Sequence, residues 1–265
     1  MANKRIPCWQ VDAFTDRPFG GNPACVCWLE AEADPRWMQS VAAEMNLAET
    51  AFVRRIGGGY ELRWFTPTVE VDLCGHATLA SAHALWTNGL VPDGEPIPFH
   101  TRSGVLTCTR SGEFIELDFP ATPAMRVELP TGLDTTLGAE PKSVLKSKFD
   151  FVAVLDSAAT VRSLKPDFRA LAKYPVRGVI ATAVSDDAKY DFIARFFGPA
   201  SGIDEDPATG SAYCSLLPYW AEQLGKTEMT AYQASPRGGV IRLRLNGDRV
   251  ILGGQAVTIW QGELL

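Results

Sequence analysis

The strongest constraint on this chain is that it repeats itself. The run Asp72-Leu73-Cys74-Gly75-His76-Ala77-Thr78, which continues to Trp86, has a counterpart 135 positions later in Thr209-Gly210-Ser211-Ala212-Tyr213-Cys214-Ser215-Leu216-Leu217. In each copy a polar residue and a glycine open a stretch rich in Ala, Ser and Leu, nearly free of charge and long enough for a buried helix. Arg63-Trp64-Phe65-Thr66-Pro67 matches Arg195-Phe196-Phe197-Gly198-Pro199 at an offset of 132. The hairpin at 105–117, which turns at Ser111-Gly112, matches 240–252, which turns at Asn246-Gly247, again at 135. Ordered features in near-constant register predict an α+β chain of two pseudo-symmetric lobes, each a curled mixed sheet wrapped around one central helix. Around Pro120-Ala121-Thr122-Pro123 the strand pattern lapses. This sets the expected lobes at residues 1–120 and 121–265, with the ligand site in the cleft between them.

Local signals fill in the lobes. Asp34-Pro35 is a helix start, with aspartate as N-cap and proline in the first turn, and that helix is expected to end near Asn46. Phe19-Gly20-Gly21-Asn22-Pro23 reads as a turn into the strand Ala24–Leu29, which puts Asn22 at a loop tip, as a turn residue or as an amide for a ligand. Gly57-Gly58-Gly59 turns one strand back on the next, and Asn88-Gly89 is a fitting stop for the helix that begins at Cys74-Gly75.

A net charge of −6 without any basic run argues against nucleic acid and anionic membranes as partners. No window approaches the roughly 18 uncharged apolar residues of a membrane span, and no apolar leader opens the chain, so a cytoplasmic location is expected. The six cysteines, Cys8, Cys25, Cys27, Cys74, Cys108 and Cys214, have neither a CxxC pair nor a regular spacing. They read as reduced thiols, and no metal site is expected.

The chemistry gathers at the two helix starts. The first amides of a helix lack intrahelical partners, the macrodipole places partial positive charge there, and glycine allows close approach. Gly75 and Gly210 with their neighbours are therefore candidate binding groups for a small anion. Beside them stand Cys74 and His76 in one copy, and Asp206, Thr209 and Ser211 in the other. Glu49 lies between small or apolar neighbours at a helix-to-strand junction, where desolvation favours the acid form and makes a carboxyl useful as a general acid or base. Each also has an ordinary reading: a strand-end glutamate, a capping aspartate, a buried cysteine or a histidine with a structural hydrogen bond. His83 and His100 read as ordinary. A two-thiol epimerase is disfavoured, because the position equivalent to Cys74 is Thr209, whose hydroxyl is far too weak an acid for that task.

Taken together, Asp12-Ala13-Phe14, Gly21-Asn22-Pro23, Met45-Asn46-Leu47-Ala48-Glu49-Thr50-Ala51-Phe52, Phe65-Thr66-Pro67, Cys74-Gly75-His76-Ala77-Thr78 and Asp206-Pro207-Ala208-Thr209-Gly210-Ser211-Ala212 resemble the PhzF family of phenazine-biosynthesis-like proteins. The resemblance implies a diaminopimelate-epimerase-like fold and an isomerase that uses no metal or organic cofactor. In the phenazine enzyme, dihydro-hydroxyanthranilate is isomerised by proton transfer between ring carbons. The glutamate that carries the proton there corresponds to Glu49. The same matching gives His76 and Asp206 catalytic roles and assigns Asn22, Cys74, Gly75, Thr209, Gly210 and Ser211 to binding a small carboxylate substrate. A homodimer is also implied. The chain departs from the phenazine enzyme at Cys74, so the resemblance implies the reaction class rather than that enzyme's own substrate. The competing readings are a Cys74-dependent racemase or epimerase and a non-catalytic binding or interaction protein.

Overall fold

The computed structural model describes residues 5–265. Two compact units divide the chain: one ends at Asp118 and resumes over Gly253–Leu265, and the other is Phe119–Leu252. The expected lobes at 1–120 and 121–265 placed the last thirteen residues in the second lobe. They belong to the first unit, because the strand Ala256–Leu264 pairs antiparallel with Ile6–Ala13. Neither the length nor the pairing of that final strand was anticipated.

In the first unit, Ile6–Ala13 also pairs antiparallel with Asn22–Leu29, which runs parallel to Glu49–Ile56. A parallel neighbour demands a crossover, and the helix Pro35–Met45 supplies it. Asp34 caps that helix by accepting from the Arg36 amide, and Asn46 ends it in the left-handed region, as the sequence predicts. Glu49–Ile56 then turns back into Gly59–Phe65, and Gly59–Phe65 runs parallel to Ile97–Thr101 across a second crossover, the helix Gly75–Thr87. From His76 to Trp86 every residue of this helix except His83 is buried, and strands on several sides pack against it. The absence of charge from the segment follows from that burial, since a charged side chain there would have to be desolvated. Gly254 marks the closest approach: a β-carbon at that position would run into Phe14 and Leu79.

The second unit uses the same connections. Asp150–Val154 runs parallel to Gly178–Val184, with the helices Ala158–Ser163 and Phe168–Leu171 in the crossover. Gly178–Val184 pairs antiparallel with Phe192–Gly198, which runs parallel to Glu228–Gln233 across the helix Gly210–Leu224. Each unit is thus a mixed sheet around a central helix, the expected architecture. The repeat extends to single interactions. Arg63 bonds Glu70 through Nε at 2.7 Å and lies 5.3 Å from the Phe65 ring centre. Arg195 bonds Glu205 through Nε at 2.7 Å and lies 4.9 Å from the Phe197 ring centre.

One irregularity of the second helix has a clear cause. Pro218 lies inside it and has no N–H, so the Cys214 carbonyl loses its intrahelical donor. The Thr122 amide takes the vacant place at 2.9 Å, and the Thr122 hydroxyl lies 2.9 Å from that of Ser215. The segment just after Pro120 is thereby fastened to the central helix of its unit.

Candidate active site

Five of the expected site residues, Asn22, Glu49, Cys74, Gly75 and His76, lie inside the first unit. Glu49 opens the strand Glu49–Ile56, and its side chain is 13% exposed. Cys74 is the N-cap of the helix Gly75–Thr87 and does not cap it with its side chain. His76 sits in the first turn. Asn22 is the first residue of Asn22–Leu29, paired with Ala13 and fully buried, and this corrects the expected loop-tip position. Gly21 explains the difference. With φ of +55° and the Ala13 carbonyl against the place a β-carbon would take, it turns the chain sharply enough for pairing to begin at once. The preceding loop is pinned where the Phe19 amide donates to Asp12 Oδ2 at 2.8 Å.

The imidazole of His76 has a different neighbour at each nitrogen. Nδ1 lies 3.2 Å from Asn22 Nδ2 and 3.5 Å from Cys74 Sγ, while Nε2 lies 3.2 Å from Glu49 Oε2. An amide nitrogen donates, so Asn22 holds the neutral ring with its hydrogen on Nε2, toward Glu49. The protonated ring needs an acceptor at Nδ1, and the Cys74 sulfur is placed for that. Nε2 and Oε2 are buried, are not aligned for a hydrogen bond with each other, and find no other hydrogen-bond partner among the described residues.

Burial alone would depress the basicity of His76. The facing Cys74 and Glu49 outweigh it and raise His76 well above its ordinary value. Burial, followed by the charge of Glu49, pushes the Cys74 thiol up. Cys74 therefore stays a thiol near neutral pH, and the negative charge that faces the imidazolium is that of Glu49.

Glu49, Cys74 and His76 offer a carboxylate oxygen, a sulfur and a ring nitrogen within 4.8 Å of one another, a donor set that invites the question of a metal ion. Cys74 neighbours Nδ1 and Glu49 neighbours Nε2, so the same three groups also offer a line for a proton between the carboxylate and the imidazole.

The remaining expected residues lie in the second unit. Asp206 ends the strand Ile203–Asp206 and accepts from the Thr209 hydroxyl at 2.5 Å. Thr209 is the N-cap of Gly210–Leu224, a helix start with no acidic residue in its first turn and no side-chain cap. The first-unit helix has the same two features, so the first amides at both helix starts are without a side-chain cap. Ser211, at the position matching His76, accepts from Arg177 at 2.8 Å. Arg177 also makes two bonds to Asp150, at 2.9 and 2.5 Å. Outside these groups, His83 bonds the Thr258 hydroxyl at 3.0 Å, and His100 lies 3.3 Å from the Gly58 carbonyl, in keeping with the ordinary roles expected of both.

Sequence reasoning passed over Gln233, Arg177 and Asp150. Asp150 is 1% exposed. It opens a strand as Glu49 does, and an acidic residue directly before the apolar run Phe151-Val152-Ala153-Val154-Leu155 was the one available signal.

Known proteins resemble the chain over nearly all its length. The family model of phenazine biosynthesis-like proteins, PhzC-PhzF, matches residues 11–262. A protein of Halalkalibacterium halodurans named as an uncharacterized isomerase is 52% identical over 260 residues, covering 98% of each chain. The crystal structure of a PhzF-family phenazine biosynthesis protein from Enterococcus faecalis superimposes with a TM-score of 0.95 at 41% identity, over 99% of this chain and 100% of that one. A hydroxyproline epimerase from Agrobacterium vitis, at 10% identity and a TM-score of 0.65 over 99% of this chain and 93% of its own, shares the fold alone. No helix among the described residues is long and apolar enough to cross a membrane. From its motifs, its topology and these likenesses, the chain belongs to the PhzC-PhzF family of phenazine biosynthesis-like proteins.

Proposed function

We propose that the protein is an isomerase that moves a proton on a small carboxylate-bearing substrate, an amino or hydroxy acid, with Glu49 as the general acid and base. The observation that carries this reading is the pair of buried atoms Glu49 Oε2 and His76 Nε2. They lie 3.2 Å apart, yet neither has a hydrogen-bond partner among the described residues. Leaving buried polar groups unpaired costs about 1–3 kcal/mol each, a cost accepted where a third group is to be bound. A substrate C–H or O–H brought to Oε2 would give up its proton to the carboxylate. His76, facing the carboxylate at 3.2 Å, would stabilise through Nε2–H the charge that develops. Two further observations support the reading: the uncapped helix start at Gly75 suits the substrate carboxylate, and a relative of high identity is named as an isomerase. The family pattern assigns Asp206, Thr209, Gly210 and Ser211 to the substrate's remaining polar groups.

The test is proton NMR in D2O with dihydro-hydroxyanthranilate and a panel of amino and hydroxy acids, with Glu49→Gln as the control. Deuterium should enter a carbon position only with the unaltered protein. Exchange that survives Glu49→Gln would remove Glu49 from the mechanism and direct attention to Cys74. Binding without exchange of any ligand tested would favour the non-catalytic reading.

A further inference from the structure

In the second unit, Asp206, Thr209, Tyr213 and Gln233 form a cluster whose hydrogen-bond directions are dictated by the main chain. Gln233 ends the strand Glu228–Gln233 and is 1% exposed. Its Oε1 accepts from the Thr209 amide at 2.8 Å and from the Tyr213 hydroxyl at 3.3 Å. Its Nε2 donates to the Asp206 carbonyl at 2.8 Å and to Thr209 Oγ1 at 3.1 Å. A main-chain N–H can only donate and a carbonyl can only accept, so the Gln233 amide has a single permitted orientation. Turned over, it would set NH2 against N–H and oxygen against oxygen. The Thr209 hydroxyl therefore receives a hydrogen bond from Gln233, and its own hydrogen is directed to Asp206 Oδ2.

We propose that Gln233 is a positioning residue: by fixing the direction of both Thr209 hydrogen bonds, it commits the Thr209 proton to Asp206 and holds that carboxylate as a fixed acceptor for a substrate N–H or O–H. The substrate role of Asp206 rests on the isomerase reading, whereas the positioning itself is independent of turnover. Thr209, the counterpart of Cys74, is thereby a spent donor rather than a second acid. Among the groups that face Asp206, Tyr213 comes from the helix, and its hydroxyl is pushed up by burial and by the Asp206 charge. Glu205, the preceding residue on the same strand, is paired with Arg195, and the strand partner of Asp206 is Phe196.

The experiment is a carboxyl-carbon NMR titration of the full chain with labelled aspartate, the Asp206 signal being identified by its loss in Asp206→Asn. Thr209→Val and Gln233→Met should each raise the Asp206 midpoint by about one pH unit or more, about a tenfold gain in proton affinity. Thr209→Ser should keep the wild-type midpoint, and the Thr209→Val/Gln233→Met pair should shift no further than Thr209→Val alone. A wild-type midpoint in Thr209→Val overturns the proposal, as does a wild-type midpoint in Gln233→Met. Should Gln233→Met fail to fold, the Gln233 side-chain amide of the unaltered protein decides. Slow hydrogen exchange of both its protons is expected, and exchange at the rate of a free amide overturns the proposal. None of these readouts needs a substrate, so a negative isomerase assay leaves them interpretable.

Discussion

Replacing Glu49 with Gln should reverse the way His76 links pH to stability. In the unaltered protein the imidazolium faces the Glu49 carboxylate at 3.2 Å. At that separation and an effective dielectric of about 20, the attraction is about 5 kcal/mol, and buried pairs broken on one side lose about 3–5 kcal/mol. Losing that attraction lowers the basicity of His76. With the carboxylate gone and Cys74 a neutral thiol, burial is opposed only by the sulfur at Nδ1, and the midpoint should fall from well above 6.5 to below it. The sign follows. A raised midpoint contributes stability that is fully present below 6.5 and is lost as pH rises through the folded value. A depressed one makes the folded state resist protonation, so Glu49→Gln should lose stability as pH drops below 6.5. The assay is a ring-resonance titration by heteronuclear NMR, simplified by a total of only three histidines, together with urea denaturation across the same range. His83, held down to about 4 by burial and by Arg110, serves as an internal reference. A Glu49→Gln protein whose His76 titrates at or above the wild-type midpoint would refute the argument.

Three further expectations can be checked directly. Gly254→Ala places a methyl group against Phe14 and Leu79 and should cost about 1–3 kcal/mol in urea denaturation, whereas an unchanged midpoint would mean that the strand has room to move. The native protein should not react with a thiol-specific disulfide reagent at neutral pH and should release six equivalents only in denaturant. All six cysteines are buried, and burial raises Cys74, Cys108 and Cys214, the last to about 12. One fast-reacting thiol in the native state would contradict this. Arg177→Met leaves the buried Asp150 carboxylate unpaired and should cost about 3–5 kcal/mol near neutral pH. Burial already favours the protonated form of Asp150, so the penalty should shrink as pH falls, and a penalty independent of pH would count against the pair.

Much of this was legible in the sequence because it is written locally. Asp34-Pro35 and Asn46 delimit a helix through main-chain chemistry that any fold would respect. The apolar runs after Cys74 and Thr209 declare burial on every side. The matched Arg63 and Arg195 carried the repeat, although their carboxylate partners Glu70 and Glu205 had to be seen in place. What escaped depends on distant partners. Ala256–Leu264 is a strand because Ile6–Ala13 is available to it, some 250 residues away in the chain, and nothing near Trp260 indicates this. Asn22 looked like a loop residue because Gly20-Gly21 precede it, yet pairing to Ala13 starts at Asn22 itself. Gln233 has no local signature at all: a glutamine at the end of an alternating strand gains its meaning from the Asp206 carbonyl and the Thr209 amide that it meets only in the fold. Of the site, the grouping of Glu49, Cys74 and His76 was foreshadowed by motif. The opposed use of the two imidazole nitrogens follows from where the strand and the helix start relative to each other.

The return of Gly253–Leu265 to the first unit has a consequence for how the protein is made. Synthesis runs from the amino end, so every residue of Phe119–Leu252 leaves the ribosome before the strand that completes the half holding Glu49 and His76. That half must wait with the Ile6–Ala13 edge unpaired, an exposed edge of the kind that invites pairing with other chains, while the later-made half already has all of its own strands. The order of birth and the order of completion are opposite, and the half that holds Glu49 and His76 is the last to receive its final strand.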